Sequence, residues 1–188
     1  ANDIEFTDVY HVFGDNEYTE YTVNRNLCIK GNVELKFVEF HVKGGATLIL
    51  DGSLYINDTR TQASRMQARN PIEIYGNSTL VTKGSVQLRT EYGMGGDNEG
   101  FGVKFQEGGS VYWNSTGSCW GAEGAMFSAP ANSNIVINNG TFGRKNDNHP
   151  AIDTMGSVEV NGGEIPDVFV AGTFTLTGGT LGVDSNGS

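Results

Sequence analysis

Cysteine is nearly absent: 188 residues contain only Cys28 and Cys119. Two thiols cannot build a disulfide framework, and their spacing carries no zinc signature. They read as one buried thiol and one loop thiol, with a single disulfide as the alternative. Proline occurs four times, which excludes a Pro-rich disordered chain. Basic residues are scarce, 12 Lys and Arg against 22 Asp and Glu, for a net charge of −10. That excludes the basic footprint needed to bind nucleic acid or an anionic membrane. No apolar run approaches the ~20 residues of a membrane span, so no membrane insertion is expected. No signal peptide is recognisable, so any such segment is expected to lie outside these residues.

Glycine, by contrast, is abundant. There are 27 glycines, where ordinary usage would give roughly 13. They keep no three-residue period, which excludes collagen, and Val, Ile, Leu and Phe fill the gaps, which excludes a flexible linker. Glycine pairs between short alternating runs indicate many tight turns and many short strands, and the length fits one domain.

Self-comparison gives the register. Residues 44–56 (GGATLILDGSLYI) align with 76–88 (GNSTLVTKGSVQL) at an offset of 32. Leu48 then matches Leu80, Ile49 matches Val81, Gly52 matches Gly84, Leu54 matches Val86 and Ile56 matches Leu88. Residues 155–165 (MGSVEVNGGEI) align with 171–181 (AGTFTLTGGTL) at 16, and 133–142 (SNIVINNGTF) precedes 156–165 by 23. Paired turns at Gly44-Gly45, Gly76-Asn77, Gly108-Gly109, Asn139-Gly140, Gly162-Gly163 and Gly178-Gly179 read as one series spaced 32, 32, 31, 23 and 16.

An antiparallel meander does not require apolar residues to recur in register over such distances. A solenoid does, because each coil stacks on the last at the ~4.8 Å strand spacing. The expected fold is all-β: a right-handed parallel β-helix, a single-stranded β-solenoid of about six to seven coils, its hand following from the crossover rule. Leu48, Leu50, Leu54 and Ile56 point inward. Ile135, Ile137, Phe142, Val158, Val160, Ile165, Phe174, Leu176 and Leu181 extend that core. Residues 1–25 keep no repeat and are expected to form an N-terminal capping segment, with the helix over 26–188. The terminal GVDSNGS offers no cap, so the parent protein is expected to continue or another domain or chain to pack there.

Apolar alternation stops at four places, leaving irregular segments at 57–71, 89–102, 114–132 and 143–150. A constant register places these insertions side by side on one flank, where a rigid scaffold displays binding loops. They carry six of the twelve basic residues: Arg60, Arg65, Arg69, Arg89, Arg144 and Lys145. Tyr92, Phe101 and Trp120 lie among them, with Trp113 at the edge, and Asp147 in the last. Aromatic faces pack on sugar rings and Arg pairs bidentately with carboxylates, so Arg60, Arg65, Arg69, Arg89, Tyr92, Trp113, Trp120, Arg144 and Asp147 form the candidate ligand-binding set. Each could equally be an ordinary loop residue pinned to the scaffold.

Through the coil template over roughly 27–182, the chain resembles the parallel β-helix proteins, which include pectate lyases, polygalacturonases and phage tailspikes. The polygalacturonase pattern (Asn-x-Asp, Asp-Asp, Gly-His-Gly, Arg-x-Lys) is missing. Asn146-Asp147-Asn148-His149 and Arg144-Lys145 are fragments that do not match it. Glu91, Asp97, Glu99, Glu123, Asp147 and Asp153 could supply a carboxylate pair. Asp97-Asn98-Glu99 reads first as an acidic turn in solvent, with a contribution to a calcium site as the alternative; no other cofactor or metal is expected. His11, His41 and His149 are scattered, and His41 reads as a strand residue. In its Gly, Asn and Thr content the chain also resembles bacterial cell-surface adhesin and carbohydrate-binding β-solenoids. That resemblance implies a secreted or surface-displayed module that binds a polysaccharide or host glycan. A polysaccharide-active enzyme or inactive relative, and a structural stalk, are the alternatives.

Overall fold

The computed structural model describes residues 2–8, 10–13, 19–57, 70–90, 101–121, 125–144 and 150–182; positions 2, 10, 12, 57, 90, 120, 121 and 144 are described by their backbone alone. Among the described residues there are twenty strands and no helix. In chain order they are β1 (Asn2–Phe6), β2 (Tyr10–Val12), β3 (Thr19–Val23), β4 (Leu27–Lys36), β5 (Val38–Val42), β6 (Thr47–Asn57), β7 (Ile72–Ile74), β8 (Thr79–Thr90), β9 (Val103–Phe105) and β10 (Gly109–Trp113). Then come β11 (Ser118–Gly121), β12 (Phe127–Ala129), β13 (Ser133–Ile137), β14 (Thr141–Arg144), β15 (Ile152–Thr154), β16 (Ser157–Val160), β17 (Glu164–Ile165), β18 (Val168–Val170), β19 (Phe174–Leu176) and β20 (Thr180–Leu181).

Every strand pair among them is parallel. The chain visits three columns of strands in a fixed order. The first holds β1, the first halves of β4, β6 and β8, then β10, β13, β16 and β19. The second holds β2, the second halves of β4, β6 and β8, then β11, β14, β17 and β20. The third is the seven-stranded sheet from β3 to β18. The architecture is all-β with stacked parallel sheets, consistent with a parallel β-helix.

The expected register holds. Leu48 pairs with Leu80, Gly52 with Gly84, Leu54 with Val86 and Ile56 with Leu88. Ile135 pairs with Val158 and Val158 with Phe174. Alternation produces this: inward positions must meet inward positions on the neighbouring rungs, so apolar residues recur there, with Thr82, buried between Leu50 and Trp113, a polar exception. Leu48, Leu50, Leu54, Ile56, Leu80, Val86, Leu88, Ile135, Ile137, Phe142, Val160 and Ile165 are all buried. Each large aliphatic side chain so buried contributes about 1.5–3 kcal/mol.

Three expectations are corrected. The turn pairs are two series, not one. Gly44, Gly76 and Gly108 precede first-column strands, whereas Gly140, Gly163 and Gly179 precede second-column strands and stack on one another. The spacing of 31 from Gly108 to Asn139 therefore joined two different corners. Residues 1–25, expected to keep no repeat, carry three strands that stack in the same columns as the coils: β1 and β2 lie on β4, and β3 on β5. Phe174 and Leu176 are 37% and 49% exposed rather than core. They pair with β16 on one side, and no described strand lies on the other.

Side chains also stack along one corner. Asn138 Nδ2 donates to Asn114 Oδ1 at 2.6 Å, Asn161 Nδ2 to Asn138 Oδ1 at 2.8 Å, and Thr177 Oγ1 to Asn161 Oδ1. This ladder repeats the backbone pairing of β10, β13, β16 and β19 at the residue that follows each.

Candidate functional site

The insertions leave and rejoin the scaffold at equivalent places. Asn57 pairs with Arg89, Arg89 with Trp120 and Trp120 with Gly143 where the chain leaves the second column. Ile72 pairs with Val103, Val103 with Phe127 and Phe127 with Ile152 where it rejoins the third. The rung of β4 and β5 turns this corner with one residue, Phe37, at φ 59. A positive φ strains a bulky residue, so the tight corner is the costly form. Three segments are shorter than expected. Most of 114–132 is strand or corner, since β11 and β12 fall within it, β8 runs through Arg89 to Thr90, and β14 ends at Arg144.

The structure brings Arg89, Trp120 and Arg144 to one edge on three successive rungs, with Arg89 exposed. Arg60, Arg65, Arg69, Tyr92 and Asp147 lie outside the described residues, as do Glu91, Asp97, Glu99, Glu123 and His149. Trp113 is corrected from ligand contact to core: it is 0% exposed and meets Phe127 and Phe142 at ring-centroid distances of 5.8 and 5.6 Å. It shares the inward parity of Val111, so the exposed aromatic of β10 is its neighbour Tyr112. Both cysteines are buried and neither is in a disulfide. Cys119, inside the expected insertion 114–132, is a strand residue whose pKa burial pushes up to about 12.

Trp113 Nε1 is buried without a hydrogen-bond partner among the described residues. Trp113→Ala is expected to cost about 3–5 kcal/mol. Trp113→Phe is expected to cost well under half of that, because removing an unsatisfied donor, worth about 1–3 kcal/mol, offsets part of the lost volume. Urea midpoints measure both, and equal losses would show that the indole N–H is satisfied.

Beside the rejoining points lies a polar cluster on the outward side of the third column. In β5, Val38, Phe40 and Val42 point inward, so Glu39 and His41 point outward. His41 pairs in register with Thr22 and Glu73, and Glu73 with Lys104. Despite facing away from the core, Glu39, His41 and Glu73 are only 5%, 5% and 7% exposed. His41 Nε2 lies 3.2 Å from Glu39 Oε1 and 2.7 Å from Glu73 Oε2, and Nδ1 lies 3.9 Å from Glu20 Oε2. Glu73 is held further by Gln106 Nε2 at 2.6 Å, Asn70 Nδ2 at 3.3 Å and the Tyr75 hydroxyl at 3.3 Å. Asn70 Oδ1 in turn accepts from the Phe101 amide, so the root of one insertion is tied to the next and to this cluster.

Hydrogen bonds to Glu39 and then Glu73 raise the His41 pKa to about 9. Burial alone would raise Glu73, but hydrogen bonds from His41, Gln106 and Asn70 overcome it and bring the carboxyl down to about 2. Burial, then the Glu73 charge, pushes Tyr75 up to about 12. At neutral pH the site is thus an imidazolium between carboxylates. A carboxyl held at about 2 is a poor proton donor, so Glu73 is no general acid. Lys43 Nζ covers the Tyr75 ring at 4.5 Å, beside an open surface groove lined by Lys43, Tyr75, Asn77 and Glu107.

Sequence reasoning passed over this cluster, reading His41 as a strand residue. The offset of 32 that aligned Leu48 with Leu80 also aligns His41 with Glu73. Carried backward through FHVKG and IEIYG, it would have found the pair. Comparisons with protein families, with curated proteins and with solved structures found no match.

Proposed function

We propose that this chain is a right-handed parallel β-helix of about seven coils that serves as an extracellular, surface-displayed binding module. It recognises a polysaccharide or host glycan through the insertions stacked on one flank, in the manner of an adhesin. The observation that carries this reading is the register of the insertion points, with Asn57, Arg89, Trp120 and Gly143 on successive rungs. Such stacking makes a flank whose repeat along the axis is the strand spacing, suited to a chain-like ligand. The flank concentrates arginine in a protein of net charge −10, which favours acidic sugars because Arg pairs bidentately with carboxylates.

A glycan array that includes uronic acid polymers tests the reading. Hits on acidic glycans are expected, weakened about 10- to 100-fold by Arg89→Ala, the value of a lost charge-assisted hydrogen bond of about 1.5–3 kcal/mol. Trp120→Ala is expected to weaken them as well. An array without hits, or hits indifferent to both variants, would sink it.

A further inference from the structure

We infer that His41, Glu39 and Glu73, with Glu20 behind them, form a binding site for a divalent transition-metal ion such as zinc. The set is mixed nitrogen and oxygen, the donor chemistry such ions take. The donor atoms already converge. His41 Nε2 is within 3.2 Å of Glu39 Oε1 and 2.7 Å of Glu73 Oε2. Ligand atoms of Glu20, Glu39 and His41 all lie within 4.8 Å of one another. Donors ~2.0–2.2 Å from a tetrahedral ion stand about 3.4 Å apart, so Glu39 Oε1 is already near that spacing and Glu73 Oε2 must withdraw from the ring by about 0.7 Å.

The charge balance favours a cation. Two carboxylates, Glu39 and Glu73, are buried with the single imidazole, and a third, Glu20, faces the ring from the surface with its side chain 65% exposed. The neighbouring lysines are directed elsewhere: Lys43 lies over Tyr75 and Lys104 over Phe101. Charges out of water need pairing, and a dication that displaces the Nε2 proton supplies more of it than the proton does.

The surrounding contacts match those that orient metal ligands. Gln106 and Asn70 hold Glu73 Oε1, which leaves Oε2 aimed at the ring. The other ring nitrogen, Nδ1, faces the Glu20 carboxylate. Each donor sits on a separate rung or on alternate positions of β5, so strand pairing fixes the set without any loop. The inference is independent of the glycan reading.

Titration of the chelator-treated full chain with zinc, followed by calorimetry and melting temperature, tests it. One equivalent is expected to bind with a rise in melting temperature that EDTA reverses. Glu39→Gln is expected to weaken binding at least tenfold. Glu20→Gln, at an exposed carboxylate that the fold does not need, is expected to weaken it at least threefold. His11→Gln, at the separate surface pair with Asp8, is expected to leave it unchanged. Cobalt in place of zinc is expected to give a spectrum without thiolate charge-transfer bands. Absence of stoichiometric zinc binding by the wild-type chain overturns the assignment. So does binding lost in His11→Gln but kept in Glu20→Gln, or a thiolate band with cobalt.

Discussion

Gly52→Ala is expected to destabilise the protein by about 3–5 kcal/mol, although it adds a single methyl group. Gly31, Gly52 and Gly84 stand in register on three successive rungs where β4, β6 and β8 pass from the first column to the second. A Cβ on Gly52 would run into the Gly31 carbonyl oxygen, and one on Gly84 would come within 2.7 Å of the Gly52 oxygen and 2.9 Å of its nitrogen. The obstacles are backbone atoms of a paired strand, so relief requires separating two rungs. Gly52 also has φ +124, which L side chains rarely adopt. Backbone strain costs about 1–3 kcal/mol and overpacking another 1–3. Gly44→Ala is the control: φ is +66, but nothing lies within 4 Å of its Cβ, so only the backbone strain of about 1 kcal/mol applies. Chemical denaturation separates the two. Equal losses would show that the glycine column is not a steric contact between rungs.

His41→Ala, in chelator-treated protein near pH 6, is expected to cost about 3–5 kcal/mol. It removes the imidazolium that both buried carboxylates, Glu39 and Glu73, contact, and removing one partner of a buried ion pair is strongly destabilising. The pH dependence carries the sign. His41 titrates near 6.5 when unfolded and at about 9 when folded, so its stabilisation is complete below 6.5 and is lost as pH rises toward 9. Glu73 moves from 4.5 to about 2, so its share is complete above 4.5 and is lost as pH falls toward 2. Together the pair is expected to give a stability plateau between pH 4.5 and 6.5. Denaturation midpoints between pH 4 and 9.5 measure this. His41→Gln is expected to flatten the alkaline limb, and an unchanged limb would place the alkaline sensitivity elsewhere.

Much of the scaffold was legible in the chain because inward positions obey a local rule. An inward side chain is apolar on nearly every rung, so Leu48 above Leu80, or Val158 above Phe174, is visible as a recurrence. The rule faltered where the repeat lost constant length. The first rungs are offset by 25 and 21 residues rather than 32, so 2–23 gave no match. The corner after Trp113 was mistaken for an insertion because 114–117 depart from the strand template, although Ser115 ties that corner into β8 through the Val86 backbone.

The sequence by itself determined an all-β chain of in-register repeats, the greater part of its core, and the points where insertions leave it. Only the tertiary structure decided that Trp113 faces inward, that Phe174 and Leu176 are exposed, and that Glu20, Glu39, His41 and Glu73 meet. The reason is physical. Burial in a common core is imposed on each position separately and repeats as one residue type. A polar cluster is a relation between different residue types on rungs brought together by pairing, so no single position announces it.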